Sequence, residues 1–566
     1  MGKINIDRGT NKFEGVPPGT ALYFTVLEQS GCIDFIRSCC MQHGRELKAE
    51  GKAVPFRKLD VPMAFKAYTG TMFTNGQRYP LYETRNFYNS SPTDVLFGVS
   101  VQPQTLSDTN IAGRMEDFME LDTDMIVEGV SSKVKDFFGL ESNDRIFDSS
   151  DIDFFGVDHA DRTGKVAKMK YSSKVTGQVI GRLREERGKS ALHKQVMCVC
   201  DGNGVLTYAK VFDGATSDTT MDMAALDRVI DGLEPGKHLL SGDCKFCDVR
   251  IIQRINERGL HYITKVPDNF SEHIRRIVVD SALSGSIDES KTHPGRAYYE
   301  THSDIVDSDG RNHGRARLIA FRLPNGIKRA ERYLRDRGLR NLQKALRNVW
   351  HKRFQTREEV VDAVLDALDQ ADQLIYNAEV EYTVDKRAKP GEPSWMVRIG
   401  RVVMDEDLIR WAAERYSLQV IITNVPLSTR PKRKASDPSE GMTSDEVIQR
   451  YLGQAHVEKR FRMMKTCHGL SHVFIHTPVR QDSMVIMDAL ATCVQTAMDA
   501  ALKAARPEGG RRITVEMLDD KLVGCRIGFD REGMRLFFSG DDYSRDLFFE
   551  AVDRMHLDLT HLFPYA

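Results

Sequence analysis

Between residues 144 and 266 the hydrophobic pattern switches repeatedly between a strand period and a helix period, which leaves few architectures open. Asp144-Arg-Ile-Phe-Asp148 reads as a short strand followed by polar residues, and Gln195–Cys200 as a buried strand. Asp201-Gly-Asn-Gly204 supplies a hairpin turn with glycines where positive φ is needed, and Val205–Phe212 is the returning strand. A helix over Thr219–Ile230, a strand over His238–Gly242, a helix over Val249–Arg258 and a strand over His261–Val266 follow. Strand, hairpin, helix, strand, helix, strand is the signature of a mixed α/β core.

The chain's 566 residues exceed one core, because domains run to ~100–200 residues. Residues 1–135 read as a mostly helical DNA-binding or dimerisation domain, from Ala21–Cys40, Val61–Gly70, Ser91–Phe97 and Ile111–Glu128. Residues 136–268 hold the first part of the core. Residues 269–417 read as an inserted, strand-rich domain, with Ala297–Thr301, Arg315–Arg322, Tyr376–Val384 and Trp395–Val403 as strands and a charged helix over Ile327–Trp350. Residues 418–508 return to the core through Leu418–Val425, a long helix from Ser444 to Lys465, and an apolar helix over Met484–Ala504. Residues 509–566 form a small C-terminal tail domain.

Formal net charge is −1, from 80 Lys and Arg against 81 Asp and Glu, so a nucleic-acid reading must rest on local clusters. No uncharged apolar run reaches the ~18–20 residues of a membrane helix, and the Met1-Gly-Lys-Ile-Asn-Ile-Asp start has no apolar stretch like that of a signal peptide. The expectation is a cytoplasmic protein that neither crosses nor binds a membrane. Ten cysteines without a secretory leader are expected to be free thiols. Gly232-Leu-Glu-Pro-Gly-Lys237 lacks the spacer and the Ser/Thr of a phosphate-binding loop, so no nucleotide cofactor is expected.

Three carboxylates sit at telling places. Asp148 is placed at the end of the first core strand and Asp243 at the end of the fourth, where open α/β sheets collect functional residues. The third, Glu458, lies in Tyr451-Leu-Gly-Gln-Ala-His-Val-Glu458-Lys-Arg-Phe-Arg-Met-Met-Lys465, downstream of a capping box at Thr443-Ser-Asp-Glu446. On one continuous helix Tyr451, Gln454, Glu458, Arg462 and Lys465 would fall within an arc of about 80°. That stripe suits a solvated face, and equally a site binding metal and phosphate together. Mg²⁺ takes hard oxygen ligands, and two ions ~4 Å apart can drive an in-line phosphoryl displacement.

At these positions the chain resembles the DDE-type insertion-sequence transposases of the RNase H-like superfamily, in the branch with a β-rich insertion between the second Asp and the Glu. That family's third block reads Tyr, two residues, Arg, three residues, Glu, six residues, Lys. Here Tyr451, Gln454, Glu458 and Lys465 keep the spacing, with Gln replacing the Arg. Phe461-Arg462 and the downstream Phe474-Ile-His-Thr-Pro478-Val-Arg480 also resemble the family. Asp148-Ser-Ser-Asp151, with Gly156 eight residues after Asp148, resembles the first block and favours Asp148 over Asp151 or Asp153. Gly242-Asp243, followed by a helix and Gly259-Leu-His-Tyr-Ile-Thr-Lys-Val-Pro267, resembles the second. Phe212-Asp-Gly-Ala-Thr-Ser-Asp218 is similar to a turn between them, and Leu81-Tyr82 and Phe87-Tyr88 to the leading domain.

The resemblance, over roughly residues 20–505, implies an RNase H-like catalytic core interrupted by the insertion. It implies Asp148, Asp243 and Glu458 as catalytic metal ligands for two Mg²⁺ ions, with Mn²⁺ as substitute. It further implies DNA contacts from Tyr451, Gln454, Arg462 and Lys465. Double-stranded DNA, as inverted repeats and target, would be cleaved and then joined by a homodimer in a synaptic complex in the nucleoid. The alternatives are an RNase H-like nuclease that does not join ends, and an inactive DNA-binding descendant. A zinc site from Cys198, Cys200, Cys244 and Cys247 is disfavoured because the first pair lacks zinc-like spacing. His456 and His468 flank Glu458 and are read as packing or phosphate contacts. Pro431-Lys-Arg-Lys434 is read as a solvated or DNA-contacting loop.

Overall fold

The computed structural model describes residues 15–54, 58–73, 79–89, 91, 93–99, 101–154, 179–182, 190–214, 216–267, 272–285, 287–306, 310–369, 376–428, 438–453, 455–468, 470, 475, 477–530 and 535–560. The chain divides into two compact units, Met1–His261 with Leu452–Ala566, and Tyr262–Tyr451. Both are mixed α/β.

In the first unit the N-terminal segment is helical, with more breaks than the periodicity predicts. The stretch over Ala21–Cys40 splits into helices Pro18–Gln29 and Cys32–Ala49, because Gly31 adopts φ +75° between them. The stretch over Ile111–Glu128 splits into Asp108–Met119 and Thr123–Phe138, where Asp122 caps the second by accepting a 2.9 Å bond from the Met125 N–H. Val61–Gly70 forms as predicted, with Asp60 as its cap and Pro62 in its first turn.

These helices share one apolar core with the 27-residue helix Pro478–Ala504. That helix is long and apolar enough to cross a membrane, but 94% of its most apolar window is buried inside the fold. One of its buried polar groups bonds across the core: Asp488 accepts a 2.9 Å bond from the Tyr68 hydroxyl.

The first unit's sheet contains β1 (Asp144–Phe154), β2 (Val179–Arg182), β3 (Ser190–Asp201), β4 (Leu206–Asp213) and β5 (Leu239–Gly242). β3 runs antiparallel to β1 on one edge, and β2 and β4 share its other edge. β5 is parallel to β1, Asp144 opposite Leu239 through Phe147 opposite Gly242. β1 does not stop at Asp148, as the polar text after it implies. Its ladder with β3 continues to Phe154 opposite Leu192 and holds Ser149–Asp153 extended. In the β3–β4 hairpin only Gly204 takes positive φ, at +79°. The other glycine, Gly202, is there for space, since a Cβ would lie 2.6 Å from Ser142 Oγ.

In the second unit β6 (His261–Lys265), β7 (Asp288–Glu289), β8 (Ala297–Val306), β9 (Asn312–Arg322) and β12 (Gln419–Thr423) form one sheet in the order β6-β12-β9-β8-β7. β8 and β9, assigned to the insertion from sequence, thus share a sheet with the returning strand β12. The reason is the continuous buried run Ala316–Phe321 of β9, which needs cover on both faces. A separate antiparallel pair, β10 (Tyr376–Val384) and β11 (Trp395–Met404), packs through Val397 on helix Arg357–Asp369. Helices Glu272–Ser284, Gly326–Trp350 and Glu406–Tyr416 complete this unit.

The C-terminal segment returns to the first unit. Its hairpin, β13 (Arg526–Asp530) and β14 (Arg535–Ser539), exchanges two 2.8 Å backbone bonds between Ile527 and Val16. Leu518, Ile527, Leu547 and Phe548 enter the same core as the N-terminal helices.

Candidate active site

Phe147 of β1 and Gly242 of β5 are paired neighbours in the parallel ladder, and Asp148 and Asp243 are the next residue on each strand. The ladder therefore delivers two carboxylates side by side where adjacent strands stand ~4.8 Å apart. Gly242 lets the strand end tuck under Phe246, whose ring lies 4.8 Å from that of Phe147. The Lys245 N–H donates a 2.7 Å bond to Asp243 Oδ1, and the Ser149 N–H a 2.9 Å bond to Asp148 Oδ1.

The helix expected over Ser444–Lys465 is not continuous. It comprises Ser444–Leu452, Ala455–Arg462 and a π-helical turn at Met463–Cys467. The single stripe expected for Tyr451, Gln454, Glu458, Arg462 and Lys465 therefore does not form. Only Glu458 and Arg462, both exposed, keep an i, i+4 relation on one helix. Tyr451 closes the preceding helix in the second unit, 6.4 Å edge-on to Phe321. Lys465 is half-buried in the π turn, a feature common at functional sites. Gln454 lies outside the described residues, as do Gly156, Ala215, Phe474, His476 and Pro431–Lys434.

The Glu458 helix is pinned from below. Buried Arg460 donates a 3.1 Å bond to the Gly204 carbonyl, and Phe461 and Met464 enter the core. His468 is an internal residue, 3.0 Å from Gln495 Oε1 and 3.3 Å from Thr492 Oγ1. Cys198 and Cys200 are buried in the core, where burial pushes the Cys200 thiol up to about 12.

The acids act on one another. Asp148 is pushed up to about 7, first by burial, then by the charge of Asp243 and, more weakly, of Glu458. Asp151 is an odd number of residues from Asp148 and so faces the other side of the strand, within 3.4 Å of the Gln195 amide.

Sequence reasoning left out three members of this group. Asp218 accepts a 2.9 Å bond from Ser149 Oγ and pairs with Lys245 Nζ at 2.5 Å. Asp222, one helical turn on and only 6% exposed, is pushed up to about 8 by burial and then by Asp243, Asp218 and Asp148. The signal was in the sequence: Asp218 ends the Thr-Ser-Asp turn, and Asp222 and Lys245 follow Asp218 and Asp243 at short spacings.

The donor set fits a hard divalent cation, being all carboxylate, with burial and then the charge of Asp243 holding Asp148 well above the usual carboxylate range. Among the described residues no three His, Cys, Asp or Glu side chains are close enough together to enclose an ion.

A family model described as a transposase DDE domain matches residues 143–494, more than half of the chain, with Asp148, Asp243 and Glu458 all inside it. The chain belongs to the DDE transposase family. No curated protein matches the sequence. This family consists of nucleic-acid-cleaving enzymes that bind DNA and generally use divalent metal ions.

A pH effect on the transposase follows from its crowded acids. The folded pKa of Asp222 lies above its unfolded value, so the folded state binds the extra proton between about pH 4 and pH 8. Stability therefore falls as pH rises through that window and is recovered on acidification. Asp222→Asn, which carries no charge, is expected to melt a few degrees above wild type near pH 9 and to match it near pH 5. A difference independent of pH in metal-free melts would sink this account.

Proposed function

We propose that this transposase binds the terminal inverted repeats of an insertion sequence, cleaves at the element ends and joins the freed 3′-hydroxyls to target DNA. The observation that carries the reading is the parallel register, which sets Asp148 beside Asp243, with Glu458 acting on Asp148. Asp148, Asp243 and Glu458 would hold two Mg²⁺ ions, with Mn²⁺ as substitute. When bound, such a pair activates the attacking oxygen and stabilises the leaving one.

The chain's own residues orient the site. Backbone N–H groups of Ser149 and Lys245 fix the two aspartates. Lys245, held on Asp218, places one cation within the acidic ring and lowers the cost of assembling it. Arg462 and Lys465, with Tyr451 and Gln454, position the phosphate backbone without reading bases. An RNase H-like core over residues 136–268 and 418–508 is supported by the strand order around β1. An insertion between Asp243 and Glu458, taken as 269–417, is supported by the separate compactness of Tyr262–Tyr451, although that unit also takes in β12. The helical 1–135 region would bind DNA or a second copy in a synaptic dimer, and the 509–566 tail would brace it.

The test is incubation with DNA carrying the element's own ends in Mg²⁺ or Mn²⁺. Nicked ends followed by joined products are expected. Nicking without joining would leave a nuclease, and binding without nicking a DNA-binding descendant.

A further inference from the structure

The helix Gly326–Trp350 of the second unit carries eight Lys and Arg against two acids, in a chain whose total charge is −1. Arg329, Tyr333, Arg337, Arg340, Lys344 and Arg347 follow one another at steps of four, four, three, four and three residues. At 100° per residue those steps keep all six within an arc of about 80°. All six are exposed, and one acid, Asp336, lies at the margin of the arc, four residues before Arg340. Of the eight cations only Arg335 is ion-paired to a carboxylate among the described residues, bonding Glu406 at 2.9 Å.

An ordinary solvated helix interleaves opposite charges at i, i+4 to offset repulsion. This face instead carries five cations to one marginal acid, and it adds aromatic rings. Tyr333 stacks on Tyr416 at 5.1 Å and 17°, and the Arg337 guanidinium lies 5.4 Å from the Tyr333 ring centre. Two of the chain's three tryptophans are about half exposed on these helices, Trp350 at 53% and Trp411 at 49%. Arg415 lies over the Trp411 ring at 4.9 Å.

We propose that this face binds the phosphate backbone of duplex DNA, as a surface separate from the carboxylates. The inference rests on the transposase reading. From Arg329 to Arg347 the stripe spans about 27 Å, the rise of about eight base pairs. Clustered cations facing a polyanion gain by releasing its condensed counterions, which needs no base reading. Exposed rings beside them can pack on sugars or on unpaired bases.

The experiment compares full-length wild type with the variant Arg337→Gln/Arg340→Gln/Lys344→Gln in binding duplex DNA as salt is varied. Each lost phosphate contact removes about 0.9 from the slope of log affinity against log salt. The triple variant should therefore lose about two to three from the slope, equally on specific and unrelated duplexes. Between about 50 and 200 mM salt its affinity should fall some 40-fold less than that of wild type. The charge-conserving Arg337→Lys/Arg340→Lys variant should keep the wild-type slope, which separates charge from misfolding.

An unchanged slope in the triple variant, with wild type binding and cutting DNA, overturns this surface and leaves the transposase reading intact. A change confined to oligomeric state assigns the face to a second copy and also overturns it. Wild type that neither binds nor cuts DNA removes the transposase reading, and this surface with it.

Discussion

Replacing Asp243 by asparagine is expected to slow cleavage at an element end by at least about a thousandfold, with folding and DNA binding retained. The expectation follows from what a carboxylate does at that place. Asp243 leaves β5 immediately after the residue paired with Phe147, so its position is set by the sheet and not by a flexible loop. The asparagine keeps the size and still accepts the 2.7 Å bond from the Lys245 N–H, but removes the negative charge. Metal-assisted displacement gains several kcal/mol from charge held at the reacting phosphate, and ~4 kcal/mol is about three decades of rate.

Asp148→Asn should behave alike, whereas Asp151→Asn should cut at a rate close to wild type, because Asp151 faces the other side of β1. The measurement is single-turnover nicking with each variant, beside a DNA-binding titration. If Asp151→Asn is inactive and Asp148→Asn active, the first ligand has been placed three residues too early. If Asp243→Asn loses DNA binding as well, Asp243 is structural.

What could be read in the sequence was what local chemistry determines. The order of elements from β1 to β6, apart from β2, which the periodicity did not indicate, the helix Val61–Gly70 and the strand Tyr376–Val384 follow from caps, turns and hydrophobic period. Asp148 and Asp243 were visible for the same reason, since each follows an apolar strand run. Distant partners decided the rest. Ser149–Asp153 is too polar to read as strand, yet β3 keeps it in the ladder.

The helical arithmetic that grouped Tyr451 with Lys465 assumed an unbroken helix and holds only from Glu458 to Arg462. Asp222 and Lys245 joined the acids through the packing of helix Asp218–Val229 on β1 and β3, a contact that no periodicity encodes. The charged stretch over Ile327–Trp350 was legible as a helix. The exposure of its Arg and Lys stripe, and the lack of acidic partners for it, are facts of tertiary structure.

The second large effect is on stability and concerns Lys194 on β3. Its side chain is 1% exposed and pairs with Asp482, itself 4% exposed, near the start of the core helix Pro478–Ala504. Burial pulls the Lys194 ammonium down and pushes the Asp482 carboxyl up, while each partner's charge opposes the shift. Lys194→Ala would strand that carboxylate in the core, which costs about 3–5 kcal/mol, and the melting temperature of the first unit should fall by about five degrees.

Lys194→Met/Asp482→Leu removes both charges and keeps the volume, so it should recover most of the loss. Thermal melts of the two variants decide the matter, and a double variant no more stable than the single would show that the pair is needed for more than mutual neutralisation. β3 is the strand that holds β1 extended through Asp148. The single variant should therefore also lower nicking, and the double variant should restore it in step with stability. If nicking stays low in a double variant that melts normally, the ion pair positions Asp148 directly.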